Sequence, residues 1–405
     1  MKIRSVTVFL HPGSPLNQAR MAQAGQFVQS ARQAYTAAGY EVQTVRLATV
    51  PFPGLVEASD PEKLVLLAKQ IESAAVAAGF EYISIGPALP GRVRDYYLIP
   101  DVFAATNSVF LSGSMTNDDG SISLEAVRGC AQVIHRAARL LPDGFANLRF
   151  AALANVPPGS PFFPAAYHQG EEPSFALALE AAALAVNAFS IAQTLEDACL
   201  QLQQHVEAHA QRLSSIGRSL QAQFGFIDKG LDFSLAPFPE RSASLGTALE
   251  ALGVPAVGLH GSLAAAAMTA SVLDQARFGR VGFNGLFLPV LEDAVLARRA
   301  AEGALTVKDL LLYSAVCGAG IDTVPLPGDT SEEALQAVLL DVAALALRLD
   351  KPLTARLMPI PGKKAGDPTN FDFSFFANSR VMALEAQPLQ GLLAGGRRLQ
   401  INSRR

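Results

Sequence analysis

The residues best equipped for chemistry fall within one stretch, Ala315 to Thr330. There Cys317, Asp322 and Asp329 are set among glycines, prolines and apolar residues rather than among other charges. A thiol becomes a nucleophile when a base or a positive environment favours its thiolate, and the loop histidines His168 and His260 are the candidates to supply it. Cys317 precedes Gly318 and Gly320, and residues without a Cβ allow a ligand to approach the backbone. Asp322 lies early in an apolar, strand-like run, which fits a functional or buried-network carboxylate. Asp329 either serves a site or caps the helix that follows it.

Two further strand-end loops share this character: Pro289 to Asp293, carrying Glu292, and Pro359 to Asp367, carrying Lys363 and Lys364. If the strands are parallel neighbours, the loop carboxylates converge at one end of a sheet, where paired acids suit proton transfer or a hard cation. Lys364, with Arg356 on the preceding strand, is a candidate anion binder. Asn155 opens a loop to Gly170 with four prolines and three aromatics, placed beyond a strand where α/β folds hold ligands. The expected catalytic set is therefore Cys317, Asp322 and His168. Asp329, Arg356, Lys364, Asn155 and Glu292 are the expected substrate contacts. No metal is assigned, although a divalent cation fits the acids. His205 and His209 stand four apart without the zincin order, and read as a solvated helix face. Neither a P-loop nor a dinucleotide fingerprint is present, so no nucleotide cofactor is expected.

Positioning these residues takes a long alternation of strands and helices. Val6–Leu10, Tyr40–Ala48, Tyr82–Ile85, Ser108–Leu111 and Leu148–Ala154 read as strands, separated by helices at Asn17–Ala38, from Asp60 to Ala78, near Asp101–Ala105 and at Ser123–Leu141. Glu171 to Phe224 reads as helical throughout, broken near Gln193–Glu196. Leu231–Ala236, Arg280–Leu288, Asp322–Leu326 and Thr354–Ile360 read as later strands, with Phe371–Phe375 or Arg380–Leu384 as a tenth. Helical crossovers of this length imply parallel pairing. The expectation is one α/β domain over 1–405: a first half 1–155, an Ala-rich helical region 171–224 and a second half 231–385.

Composition bounds the function. Half of the 405 residues are hydrophobic and 17% are charged, with a net charge of -4. That balance argues against nucleic acid as a partner, since phosphate neutralisation needs a basic face. Three cysteines at unrelated spacings make neither a disulfide framework nor a zinc site; Cys130 and Cys199 read as inert helix residues. The N-terminus shows no signal-peptide pattern and no run reaches a bilayer span. A cytoplasmic protein with a small-molecule ligand is expected, self-associating through the Ala-rich helix Ser174 to Ala192 as a homo-dimer or larger homo-oligomer.

The segments Val42–Thr49, Asn155–His168, Phe287–Asp293, Cys317–Asp329 and Thr354–Asp367 together resemble the bacterial and archaeal family of unknown function numbered 711. That family is similar in fold to pyruvate formate-lyase and related glycyl-radical enzymes. The resemblance implies a single roughly ten-stranded α/β barrel of two parallel half-sheets, with the Ala-rich helices as an insertion. Glycyl-radical enzymes carry an Arg-Val-x-Gly motif near the C-terminus. The late glycines Gly391, Gly395 and Gly396 stand in no such motif, and Phe371–Phe376 occupies a stretch where the family tends to be glycine-rich. The expectation is a non-radical enzyme acting on a small polar or anionic metabolite, or a binding protein that keeps the barrel without its chemistry.

Overall fold

The computed structural model describes residues 1–56, 60–316 and 318–403. The chain opens with strand β1 (Lys2–Leu10), helix α1 (Gln18–Ala37), β2 (Val42–Thr49), α2 (Pro61–Ala77), β3 (Tyr82–Ala88), α3 (Ile99–Ala105), β4 (Val109–Ser114), the short β5 (Ser121–Ser123), α4 (Leu124–Ala137) and β6 (Phe150–Ala154). It continues through β7 (Ser174–Glu180), α5 (Ala182–Ile191), α6 (Leu195–Phe224), β8 (Ile227–Asp232), α7 (Leu245–Ala251), α8 (Ser262–Gln275), α9 (Ala294–Ala301) and α10 (Val307–Tyr313). The last main elements are β9 (Gly320–Pro327), α11 (Glu332–Leu349), β10 (Leu353–Ile360) and β11 (Arg398–Gln400).

Local chemistry sets the helix starts. Asn17 accepts from the Arg20 amide, Asp60 from those of Glu62 and Lys63 with Pro61 in the first turn, and Ser123 from that of Ala126. Each satisfies amide donors that a first helical turn leaves open.

Nine strands form one sheet in the order β8-β7-β1-β2-β3-β4-β6-β10-β9. The central five, β1, β2, β3, β4 and β6, are parallel. At each side the direction reverses, β7 running antiparallel to β1 and β10 antiparallel to β6. Beyond those reversals β8 runs parallel to β7, and β9 parallel to β10. Residues 280–289 are linked to both outer strands by isolated parallel bridges, Leu231 to Arg280 and Pro289 to Asp322, with Leu235 to Leu286 just past β8. Asp232 fastens this segment: it accepts from Ser234 Oγ at 2.6 Å, Phe283 N at 2.7 Å and Asn284 N at 2.9 Å. Burial pushes its carboxyl up to about 6 against those bonds.

The two faces of the strands differ because side chains alternate. Ile3, Val6, Val8 and Leu10 of β1 join the large core with Phe27 and Val28 of α1. Ser5 and Thr7, between them, both donate to the carbonyl of Pro161, and Ser84 of β3 donates to that of Ala166. The proline-rich loop after β6 therefore turns back across the second face. Ala48, Ala151, Ala176 and Ala178 leave room for its Phe162, Phe163, Ala165 and Ala166.

Four expectations are corrected. The region 171–224 is not helical throughout: Ser174–Glu180 is a fully buried strand between β1 and β8. Alanine at alternate positions hides the period that would mark a strand. A helix from Ser174 to Ala192 is therefore not available for self-association, since its first half is interior sheet. Arg280–Leu288 makes single bridges rather than a strand, and neither Phe371–Phe375 nor Arg380–Leu384 adds a tenth strand. Among the described residues, no helix is long and apolar enough to cross a membrane.

Candidate functional site

At the amino ends of β1, β2 and β3, beside the carboxyl end of β7, lies a cavity of about 280 Å³. The reversal of strand direction brings these opposite ends together. Polar side chains reach it from separate elements: Arg4 on β1, Thr44 and Arg46 on β2, Asp322 on β9, Arg356 on β10, and Glu292 from the turn before α9. All six are buried.

Five buried charges form a chain. Glu180 meets Arg4 at 3.0 Å, and Arg4 also pairs with Glu292. Glu292 Oε1 accepts from Arg356 Nη2 at 2.8 Å, and Arg356 reaches Asp322 through Nε at 2.5 Å and Nη2 at 2.9 Å. The second contact makes Arg356–Asp322 a bidentate pair, the strongest geometry available to a guanidinium. Burial lowers the tendency of Arg356 to hold its proton, but Asp322 and Glu292 outweigh it and hold the group firmly charged. Burial raises the Glu180 carboxyl, opposed by Arg4 and Gln43. Asp322 is fixed from its own backbone: it accepts from the amide of Thr323, a β-branched residue held at φ 42. Such a conformation is an outlier for that residue type.

Arg46 stands apart from this chain. Its Nε donates to Thr44 Oγ1 at 2.9 Å, and its guanidinium lies 5.6 Å from the Tyr82 ring centre and 5.2 Å from that of Phe163. Among the described residues it has no carboxylate in contact, and neither terminal nitrogen makes a hydrogen bond to protein. Burial, then the neighbouring Arg4, pushes it down to about 9, so it remains protonated at neutral pH. A buried cation is costly unless something pairs with it, and the open face of this one is the cavity.

The sequence candidates divide. Asp322, Arg356 and Glu292 are brought together here. Cys317 lies outside the described residues. Asp329 is exposed and does not cap α11, whose N-cap is Ser331, accepting from the Ala334 amide. Lys364 is exposed in a turn closed by Asp367 on its own amide. Asn155 is turned to Asp350 at 3.2 Å and borders a separate cleft with Asn117 and Tyr167. The three loop carboxylates therefore do not converge: Asp293 is a buried N-cap bonded to Val295 N and Ser244 Oγ, and Glu292 alone enters the cavity. Among the described residues no group of three His, Cys, Asp or Glu side chains is placed to hold a metal ion.

His168 lies outside the cavity, beneath the end of β2. Its amide donates to Thr49 O at 2.9 Å, its ring packs 6.5 Å from that of Phe9, and Nε2 has no partner among the described residues. Burial, then Lys229 and His11, pushes it down to about 4. The unfolded chain, with a histidine near 6.5, takes up the proton first. The His168 contribution is therefore complete above about pH 6.5 and lost as pH falls through about 4, a loss of up to about 3 kcal/mol. Chemical denaturation across that window should show the slope in the native chain and its removal in His168→Gln; an equal slope in both would refute the assignment.

Arg4, Arg46 and Glu180 were not among the sequence candidates. Of these only Arg46 lies in a segment that reads as a strand; Arg4 precedes the expected strand Val6–Leu10, and Glu180 falls in the stretch that reads as helix.

Residues 1–378 match the family described as "Uncharacterised ACR (DUF711)". A "UPF0210 protein" of Pyrobaculum arsenaticum is 33% identical over 81% of this chain and 76% of its own length. Another, of Acetivibrio thermocellus, is 30% identical over 82% and 77%. A third, of Methanococcoides burtonii, is 27% identical over 93% and 86%.

Proposed function

The chain belongs to the DUF711 family, and from that premise we propose that it is an enzyme taking a small metabolite by its anionic group into the cavity beside Arg46. The observation that carries this reading is a buried guanidinium with two unbonded nitrogens facing open space. We further read the sheet as a barrel of two half-sheets like that of pyruvate formate-lyase. In its favour are the two direction reversals, and bridges from 280–289 to both outer strands. Glu292 and Asp322, both lining the cavity, are the groups we assign to proton transfer.

The test is anion binding. Benzoate or inorganic phosphate should raise the melting temperature of the native chain, since ligand at one hundred times Kd adds about 2.7 kcal/mol of stability. Arg46→Met should lose that rise. If neither anion stabilises the native chain, or the rise survives in the variant, the reading fails.

A second reading, a binding protein without turnover, is favoured by one feature: every cavity carboxylate is engaged by a guanidinium, so none stands as an unencumbered base. Mass spectrometry of a metabolite panel after incubation separates the two. A ligand retained and unchanged supports the second, and a product supports the first.

A further inference from the structure

Of the charged side chains described along the cavity wall, all but one are already answered by protein. Glu292 lies between Arg4 and Arg356, and Asp322 holds Arg356 from its other side. Arg4 also meets Glu180, which does not line the cavity, and its guanidinium lies 5.1 Å from the ring centre of Phe375. Arg149 donates its terminal nitrogens to the carbonyls of Thr106 and Phe103 at 2.8 and 2.6 Å, and Glu72 answers its charge. Arg46 is the remainder. Thr44 holds it by Nε and the rings of Tyr82 and Phe163 lie beside it, but no carboxylate among the described residues touches it.

One unmatched cation is neutralised by one negative charge. A dianion would cancel Arg46 and leave a second charge buried near Glu292 and Asp322, where an unpaired ion is costly. The rest of the wall suits an apolar body. Eight of the twenty described residues lining the cavity are aromatic, against 7% aromatic residues in the whole chain. They stand in packed groups: Phe110 lies edge-on to Tyr82 and Phe163 at 5.2 and 5.5 Å, Phe162 packs on Phe287 at 4.5 Å, and Phe373 contacts Phe145 and Phe375 at 5.1 and 5.3 Å. Size narrows the body further. An apolar cavity of about 150 Å³ accepts benzene, so about 280 Å³ takes one ring with a short chain and a head group.

Resting on the anion reading above, we infer that the ligand is a monocarboxylate carrying a single aromatic ring. Its carboxylate accepts from both terminal nitrogens of Arg46 as a planar fork, the geometry that guanidinium matches best. The rings beside Arg46 lower the local dielectric, and an ion pair there is stronger than in water. The ligand's own ring packs edge to face or offset among the phenylalanines, as aromatic pairs prefer. Glu292 and Asp322, already matched by their arginines, repel a second anionic group and restrict the ligand to one.

Calorimetric titration of the full chain with four probes tests this: hydrocinnamate, hydrocinnamamide without the charge, propionate without the ring, and inorganic phosphate. Hydrocinnamate should bind roughly 10-fold or more tightly than each of the others. That ratio is within what burying a phenyl ring or making one charge-assisted contact contributes. In Arg46→Met its affinity should fall to that of hydrocinnamamide. The comparison on the native chain stands even if the variant fails to fold. If propionate or phosphate binds as tightly as hydrocinnamate, the aromatic monocarboxylate is overturned and the anion reading survives. If hydrocinnamamide matches hydrocinnamate, the inference is overturned, and the anion reading falls with it unless phosphate binds. If none of the four binds the native chain, both are overturned.

Discussion

Arg356→Met should lower the unfolding free energy by about 3–5 kcal/mol, the usual cost of removing one partner from a buried charge pair. Methionine matches the length of the arginine stem and packs well against apolar neighbours, so little of the loss comes from a void. The loss arises because, among the described residues, Asp322 would keep only the Thr323 amide as donor, and Glu292 only Arg4. Glu180 and Glu292 would then share Arg4, and Asp322 would face no guanidinium, in a buried site. The sign of the effect distinguishes this from an ordinary core substitution. Arg356→Met combined with Asp322→Leu removes one stranded charge and should recover part of the loss, giving a coupling energy of about 1–3 kcal/mol in the double-mutant cycle. Additive losses, measured by urea denaturation, would mean that the bidentate pair contributes nothing specific.

That same pair shows how far the sequence could be read. Asp322 and Arg356 were legible because a single charge inside an apolar strand has to face something polar. Asn17, Asp60 and Ser123 were legible as helix starts for equally local reasons. Arg46 lies in a stretch that reads as a strand, whereas Arg4 precedes Val6–Leu10 and Glu180 falls in a stretch that reads as helix. In parallel sheets, moreover, ligands are expected at the strands' carboxyl ends instead. This sheet reverses direction at β7 and at β10, and reversal carries the amino ends of the first strands to the same side as the carboxyl end of β7. Topology, not residue type, decided which end held the cavity. The buried strand Ser174–Glu180 is what creates one of the reversals, and it was read as helix. Alanine is small enough to alternate with leucine and phenylalanine without marking a face. Asp329 and Lys364 were drawn in by loop composition, which reports a turn as readily as a site.

The glycines of Gly318-Ala319-Gly320 suggest room for a ligand, but the place a Cβ would take at each is filled by the protein's own backbone. A Cβ on Gly318 would lie 2.6 Å from the Cα of Gly285. One on Gly320 would fall inside the carbonyl oxygen of Thr354, and Gly320 holds φ 97, a value L side chains rarely adopt. This close approach seats β9 against β10, since Thr354 N donates to Ala319 O at 2.8 Å and its Oγ1 to the same oxygen at 2.9 Å. Two residues further on, the strand delivers Asp322 to Arg356. Gly320→Ala should therefore destabilise by about 2–5 kcal/mol, combining the left-handed backbone penalty with overpacking against a carbonyl that cannot rotate away. It should also weaken anion binding, because shifting β9 moves Asp322 and Arg356, which wall the cavity that Arg46 faces. Gly366→Ala supplies the contrast: it too has positive φ, at 89, but nothing lies within 4 Å of its missing Cβ. It should cost only the backbone penalty of about 1–2 kcal/mol and leave binding unchanged. Equal losses in the two variants would show that conformation alone, rather than the β9–β10 approach, explains Gly320.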